Sequence, residues 1–288
     1  MSAWSPRRMP RIRDRVRTAL TGSDRLFSQD TPELVARNKR VAQNLGASGL
    51  SWATPNMSAL AIAAAADLPE VRWATADRPS ASGLIVWDGG IGQVPYRGVY
   101  TPVDAISWGP HPDGLSCMMW LSLNRMREAV TALGGTYVPG ILPPLLPVGE
   151  FVAPITADPY PAEAIDDGAR TALTTLASAW LLMKQPKMVD RSSVEIDRSV
   201  RRSYGRANLP VPEVTLIDLR RLYVPNITER DEPASRTYNR RWVVGGHWHN
   251  QAYGPGWSLR RQIWIPNYIK GPDGAPLIVT ERVNVWRR

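Results

Sequence analysis

The chain has 288 residues, 43% of them apolar, enough for one large domain or two small ones around a sizeable core. A single cysteine excludes an intramolecular disulfide and a cysteine-built zinc site; no apolar run is long enough to span a bilayer and no secretory leader is recognisable, so a cytoplasmic protein is expected. The formal charge of +9 is segregated, with +5 in residues 1–22, −5 in 23–183 and +9 in 184–288, which points to a polyanion-facing half on a neutral-to-acidic support.

In chain order, residues 1–22 read as a basic N-terminal arm. Within it Pro10–Leu20 has Ile12, Val16 and Leu20 at helical spacing, and the segment is either a nucleic-acid arm or a frayed terminus. Thr31-Pro32-Glu33 is a helix start, since Thr caps, Pro fits the first position and Glu favours the positive end of the dipole. Gly46 stops that helix. An Ala-rich helix runs over 57–67. Val71–Thr75, Gly83–Trp87, Val103–Trp108 and Leu115–Leu121 are β-like. Cys117 lies in the last of these and reads as a buried, inert thiol. Asp88-Gly-Gly-Ile-Gly92 is a tight turn, because neither a Gly-Lys-Ser/Thr nor a helix comes after it. Leu123–Leu133 is a helix. Residues 139–161 form a proline-rich loop wrapped on the core, with a strand around Glu150–Val152. Asp166–Met183 has the clearest helical stripe, including Trp180, and Pro186 forces its end. Ser193–Tyr204 reads as a basic helix with Arg198, Arg201 and Arg202 on one side. Val214–Leu219 is a strand, and 229–236 is a polar, mobile loop.

The remainder reads as β-structure. Strands are expected over Arg240–Gln251, Ile263–Ile269 and Pro276–Trp286, with turns at Tyr253–Trp257 and Gly271–Gly274. Short turns join antiparallel neighbours, so a three-stranded antiparallel meander is expected. Alternation puts Val243, His247, His249 and Gln251 on one face and Trp242, Val244, Trp248 and Asn250 on the other. Gly245-Gly246 is a candidate bulge that re-aims the side chains after it. The fold class is α+β, divided into 1–22, a support region 23–186, and 187–288 as basic helix plus basic meander, the last either separate from or continuous with the second.

The pattern Gly246-His-Trp-x-x-Gln251, then Arg261-x-x-Trp-Ile-x-x-Tyr-Ile-Lys-Gly-Pro272, resembles the C-terminal end of a group of actinobacterial and phage or mobile-element proteins. The resemblance extends to Trp180–Pro186, Arg202–Arg206 and Val214–Tyr223. Where that group often reads Arg-Gly-His-Trp-Arg, this chain has Gly245 and His249 in place of the arginines. The resemblance implies a biological setting and no mechanism.

Three functions fit these residues. The leading one is a nucleic-acid-associated accessory or regulatory protein, in which Arg201, Arg202, Arg240, Arg241, Arg260, Arg261, Lys270 and the Arg287-Arg288 end contact phosphates. Trp248, or one of Trp242, Trp257 and Trp264, offers a stacking face to RNA or DNA. The second is a metal-independent endoribonuclease of toxin or defence type, with His247 and His249 as acid–base pair and Arg261 stabilising the developing charge. The third is a structural or protein-binding role, with a partner or a second copy of the chain. No cofactor is expected. A metal site would need a ligand beyond the two histidines, such as His111, Asp218 or Glu281, so none is expected either.

Overall fold

The computed structural model describes residues 4–22, 31–96, 99–132, 142–155, 159–220, 241–270 and 277–278. The chain divides into two compact units, 1–220 and 221–288. The division comes after the strand at 214–219, because that strand is paired into the first unit's sheet.

The first unit begins with α1 (Met9–Thr21), α2 (Pro32–Gly46), β1 (Gly49–Ala53) and α3 (Pro55–Ala66). It continues with β2 (Glu70–Val71), β3 (Gly83–Trp87), β4 (Gln93–Tyr96), β5 (Val99–Pro102), β6 (Ala105–His111) and β7 (Gly114–Ser122). Then come α4 (Leu123–Ala132), β8 (Leu145–Ala153), β9 (Tyr160–Pro161), α5 (Asp167–Met183), β10 (Val189–Ser193), α6 (Arg198–Arg206) and β11 (Val214–Leu219). Seven strands form one sheet in the order β10-β11-β1-β3-β6-β7-β8. β1 is parallel to both neighbours and every other pair is antiparallel. The fold is therefore α+β on a mainly antiparallel sheet. β2 with β9 and β4 with β5 form short ribbons.

Local chemistry sets the helix starts. The Thr31 hydroxyl accepts from the Leu34 N–H ahead of Pro32 and Glu33. The Asp166 carboxylate does the same for Gly168 at the head of α5. Asp197 caps α6 by accepting from Ser199. That backbone bond, the Ser199 side chain and the Arg8 guanidinium hold its carboxyl down to about 2. The cap also explains why the basic helix begins at Arg198 and not at Ser193: residues 189–193 are drawn into the ladder with β11. The proline-rich passage contributes more than a wrapped loop, since 145–153 is the edge strand β8. An edge strand tolerates Pro147, which sits opposite Trp120 beside an irregularity in the β7 register.

The sheet is covered on both faces. Leu50 and Trp52 of β1, Leu84 and Val86 of β3, and Met118 and Trp120 of β7 share a core with α1, α2 and α6. Alternation sends Ile85, Ile106 and Trp108 to the other face. There Trp180 of α5 meets Trp108 edge-on at 5.1 Å and Trp73 at 6.0 Å. Gly83 is opposite Trp108 in the ladder, and a Cβ on it would lie 2.1 Å from the indole. The glycine makes room for the ring.

The basic N-terminal segment is not a free arm. Ile12, Val16 and Leu20 form the buried stripe of α1. Arg7 bonds Glu195 at 3.1 Å, Arg8 bonds Asp197 at 3.2 Å, and the buried Arg13 donates to the Tyr204 hydroxyl at 2.9 Å. The partners are 188 to 191 positions apart at each step, so α1 and α6 run side by side in the same direction. Burial of the apolar stripe and these three pairings dock the segment.

The second unit contains β12 (Arg241–Val244), β13 (His247–Tyr253), β14 (Leu259–Ile265), β15 (Tyr268–Lys270) and β16 (Leu277–Ile278). β13 pairs with β14, and β12 with β15, both antiparallel. The expected long hairpin is thus interrupted at matching points, Gly245-Gly246 on one arm and Pro266-Asn267 on the other. At the break the Gly246 N–H donates to the Asn267 side-chain oxygen at 2.7 Å, in place of a ladder bond. The third strand departs from a meander, because β16 lies parallel to β12. β16 lies on the other side of β12 from β15, so the three strands are not neighbours in chain order. The loop 229–236, Arg240 and the Arg287-Arg288 end lie outside the described residues.

Candidate functional site

The β13–β14 register decides which side chains meet. His247 is opposite Ile265, His249 opposite Ile263, Gln251 opposite Arg261, and Tyr253 opposite Leu259. Residues directly opposite in a ladder share a face, so His247, His249, Gln251, Tyr253, Leu259, Arg261, Ile263 and Ile265 lie on one side. Trp248 with Trp264, Asn250 with Gln262, and Ala252 with Arg260 occupy the other. The two faces differ in kind. On the second, Trp248 and Trp264 meet edge-on at 5.3 Å and Trp264 is buried. A Cβ on Gly246 would lie 2.5 Å from the Trp264 ring, so this glycine seats the small core.

The first face is open. His249 and Arg261 are exposed and His247 is half-buried. The Arg261 guanidinium sits over the Tyr253 ring, 5.3 Å from its centroid. That stacking orients the guanidinium without occupying its N–H donors. Nδ1 of His247 is 3.1 Å from the Gly245 carbonyl. A carbonyl only accepts, so Nδ1 carries a proton and donates it. Nε2 is then free to accept from a ligand. Two strand residues separate the ring-bearing positions by about 6.6 Å along β13. Among the described residues His249 has no hydrogen-bond partner, and no group of three or more His, Cys, Asp or Glu could hold a metal ion. On this face the exposed Arg261 and His249 offer N–H donors to an anion, beside Ile263 and Ile265.

The surrounding sequence sharpens that reading. Residues 241–270 hold Arg241, Arg260, Arg261, Lys270, His247 and His249 and no Asp or Glu. No neighbouring carboxylate within the stretch competes for these cations.

Several expected contacts are placed elsewhere. Arg260 is on the face opposite the histidines and turns back to the carbonyls of Trp257 and Leu259. Trp248 is half-buried against Trp264, so it is a core ring and not a free stacking face. Trp257 is the exposed tryptophan of the hairpin, at 66%. Lys270 is exposed at the end of β15, in register with Trp242. The backbone of Arg241 is opposite Leu277. Arg201 and Arg202 are exposed on α6 of the first unit, where Arg201 approaches Glu195 at 3.6 Å. Gln251 and Tyr253 belong to the face as well. The same alternation that groups His247 and His249 reaches them, once the turn is placed after Tyr253.

In the first unit a concavity of about 410 Å³ lies between α3 and α5. Ala65, Ala66, Leu68 and Ala162 line it, and its Arg170 already donates to the carbonyls of Glu163 and Ile165. It holds no acid–base pair.

No family model and no curated protein matches this chain. Among solved structures it is similar to one described as a crystal structure of AcrVA2, at 12% identity and a TM-score of 0.40, over 92% of this chain and 86% of that one. Likeness at that level carries no function across.

Proposed function

We propose that this protein is a nucleic-acid-associated accessory or regulatory protein that holds the phosphate backbone on the open face of the β13–β14 hairpin. Arg261, kept in place by Tyr253, makes the central phosphate contact, and His249 makes a second one along the strand. The observation that carries the reading is an oriented, exposed guanidinium on the same face as an exposed imidazole that has no hydrogen-bond partner among the described residues, in a stretch free of carboxylates. The second unit as a whole carries eleven Lys and Arg against five Asp and Glu, which adds a long-range attraction for polyanions. The likeness of its C-terminal motif to phage and mobile-element proteins supports such a setting.

The test is a salt titration of generic DNA and RNA binding. Affinity should fall linearly in log–log coordinates, and Arg261→Ala should reduce the slope by about 1, as expected for one lost phosphate contact. Folded protein that binds neither polymer at low salt overturns the proposal.

A second reading rests on one observation, the placement of His247, His249 and Arg261 on the same face. Nε2 of His247 would serve as base, His249 as acid, and Arg261 would stabilise the charge developing on phosphorus. RNA cleavage that survives chelation of all divalent metal and disappears in both His247→Ala and His249→Ala would establish it. Intact RNA after prolonged incubation would leave binding alone.

A further inference from the structure

The hairpin's tip is built in an unusual way. Among the described residues two non-glycine positions have positive φ, Asn208 at 53° and Trp257 at 57°. Asn208 comes just after the end of α6, where asparagine adopts this conformation readily. Trp257 has no such excuse, because a bulky L-residue in the left-handed region crowds its Cβ against its own backbone. Packing does not compensate. The side chain is 66% exposed, and among the described residues no ring contact or side-chain hydrogen bond holds it.

The backbone beneath it is tightly fixed. Gly254 and Gly256 also have positive φ, at 78° and 61°. The Trp257 N–H donates to Gly254 at 3.2 Å, and the Ser258 hydroxyl donates to Pro255 at 2.9 Å. Arg260 reaches back to the Trp257 carbonyl. A strained, exposed indole on a well-braced loop is a displayed group, and such outliers cluster at binding sites.

We infer that Trp257 is a stacking platform for a base of single-stranded nucleic acid. The inference rests on the nucleic-acid reading of the hairpin and adds a substrate class to it. A duplex keeps its bases stacked on one another, whereas an open strand offers each π-face to an aromatic ring. Trp257 is at the tip, and Arg261 and His249 lie further along the hairpin, so a backbone held by the latter brings a base to the former. A lipid surface is the competing partner for a Trp, a Leu and two Arg on one loop. The apolar part, Trp257 and Leu259, is small for insertion, and the polar face continues down the length of β13.

Two variants separate these outcomes. Trp257→Gly suits the left-handed backbone, so it should fold and melt at the same temperature or higher. Trp257→Phe keeps a ring. Binding of labelled single-stranded and duplex oligonucleotides, and of vesicles rich in anionic lipid, is measured by anisotropy and co-sedimentation for each. Trp257→Gly should lose about 5- to 150-fold in single-strand affinity, the range for one base–aromatic stack. Its duplex affinity should stay unchanged, and Trp257→Phe should retain most single-strand binding. Unchanged single-strand affinity in Trp257→Gly, with Arg261→Ala still impaired, overturns the inference and leaves the proposed function standing. Wild-type protein that binds no oligonucleotide overturns both. Vesicle binding that depends on Trp257, beside oligonucleotide binding that does not, assigns the tip to lipid and overturns the inference.

Discussion

The Tyr204 hydroxyl donates to the Asp14 carboxylate, 190 positions away in sequence, while the same oxygen accepts from Arg13 at 2.9 Å. Burial first, and then the bond to Asp14, push this phenol up to about 12 from an ordinary value of 10.0. The folded state therefore holds the proton more tightly than the unfolded chain does. Stability from this source is complete below pH 10 and is lost as pH rises toward 12. Tyr204→Phe should cost roughly 1.5–3 kcal/mol at neutral pH, because the bonds to the charged Asp14 and Arg13 go with the hydroxyl. It should also show a smaller alkaline loss than wild type. Urea midpoints of both proteins at pH 9 and pH 11 measure this, and parallel losses would count against the linkage.

Trp180 should be among the most costly residues to truncate. It is buried to 2% exposure and touches Trp73 and Trp108 edge-on. Trp180→Ala removes the ring that joins α5 to the sheet and should cost roughly 3–5 kcal/mol. Its indole N–H has no hydrogen-bond partner among the described residues. Trp180→Phe therefore sacrifices packing but no hydrogen bond, and should fall well short of the alanine cost. Chemical denaturation of the two variants gives the comparison. Equal losses would mean that the indole's size, and not its place between two rings, sets the cost.

Cys117 should be chemically silent in the native state. It is fully buried in β7, and burial pushes its thiol up to about 12. A thiol-specific disulfide reagent should react with it in denaturant and leave the native protein unmodified at pH 8. Rapid native labelling would show that β7 opens locally.

The legible parts of this fold are those in which local chemistry and packing agree. Thr31-Pro32-Glu33 to Gly46 and Gly83 to Trp87 match the observed α2 and β3, and the stripe through Trp180 is the core-facing side of α5. β1 was not legible. Gly49-Leu-Ser-Trp-Ala53 is five residues between a helix end and a capping Thr54, too short to show a period. The docking of α1 was half legible: Ile12, Val16 and Leu20 mark the stripe, but nothing local links Arg13 to a tyrosine on α6. In the second unit alternation grouped His247, His249 and Gln251, since all three lie beyond the glycine pair. It did not carry across that pair, and it could not assign β16 a parallel partner. Whether a given tryptophan is core or exposed depends on tertiary burial, which is why the sequence could not choose between the half-buried Trp248 and the exposed Trp257 as the stacking face.

The central place of β1 has a consequence for synthesis on the ribosome. β1 ends at Ala53, and its partner on one side, β11, begins at Val214. About 160 residues must be added before that edge can close, which at ~5–20 residues per second takes about 8–30 s. The other edge is matched much sooner, by β3 at Gly83–Trp87. During that interval the nascent chain presents one open ladder of N–H and C=O groups beside Leu50 and Trp52, a surface prone to pairing with a neighbouring chain. Translational pauses between residues 54 and 213 should lower the yield of soluble protein more than pauses beyond Leu219, where the edge has its partner.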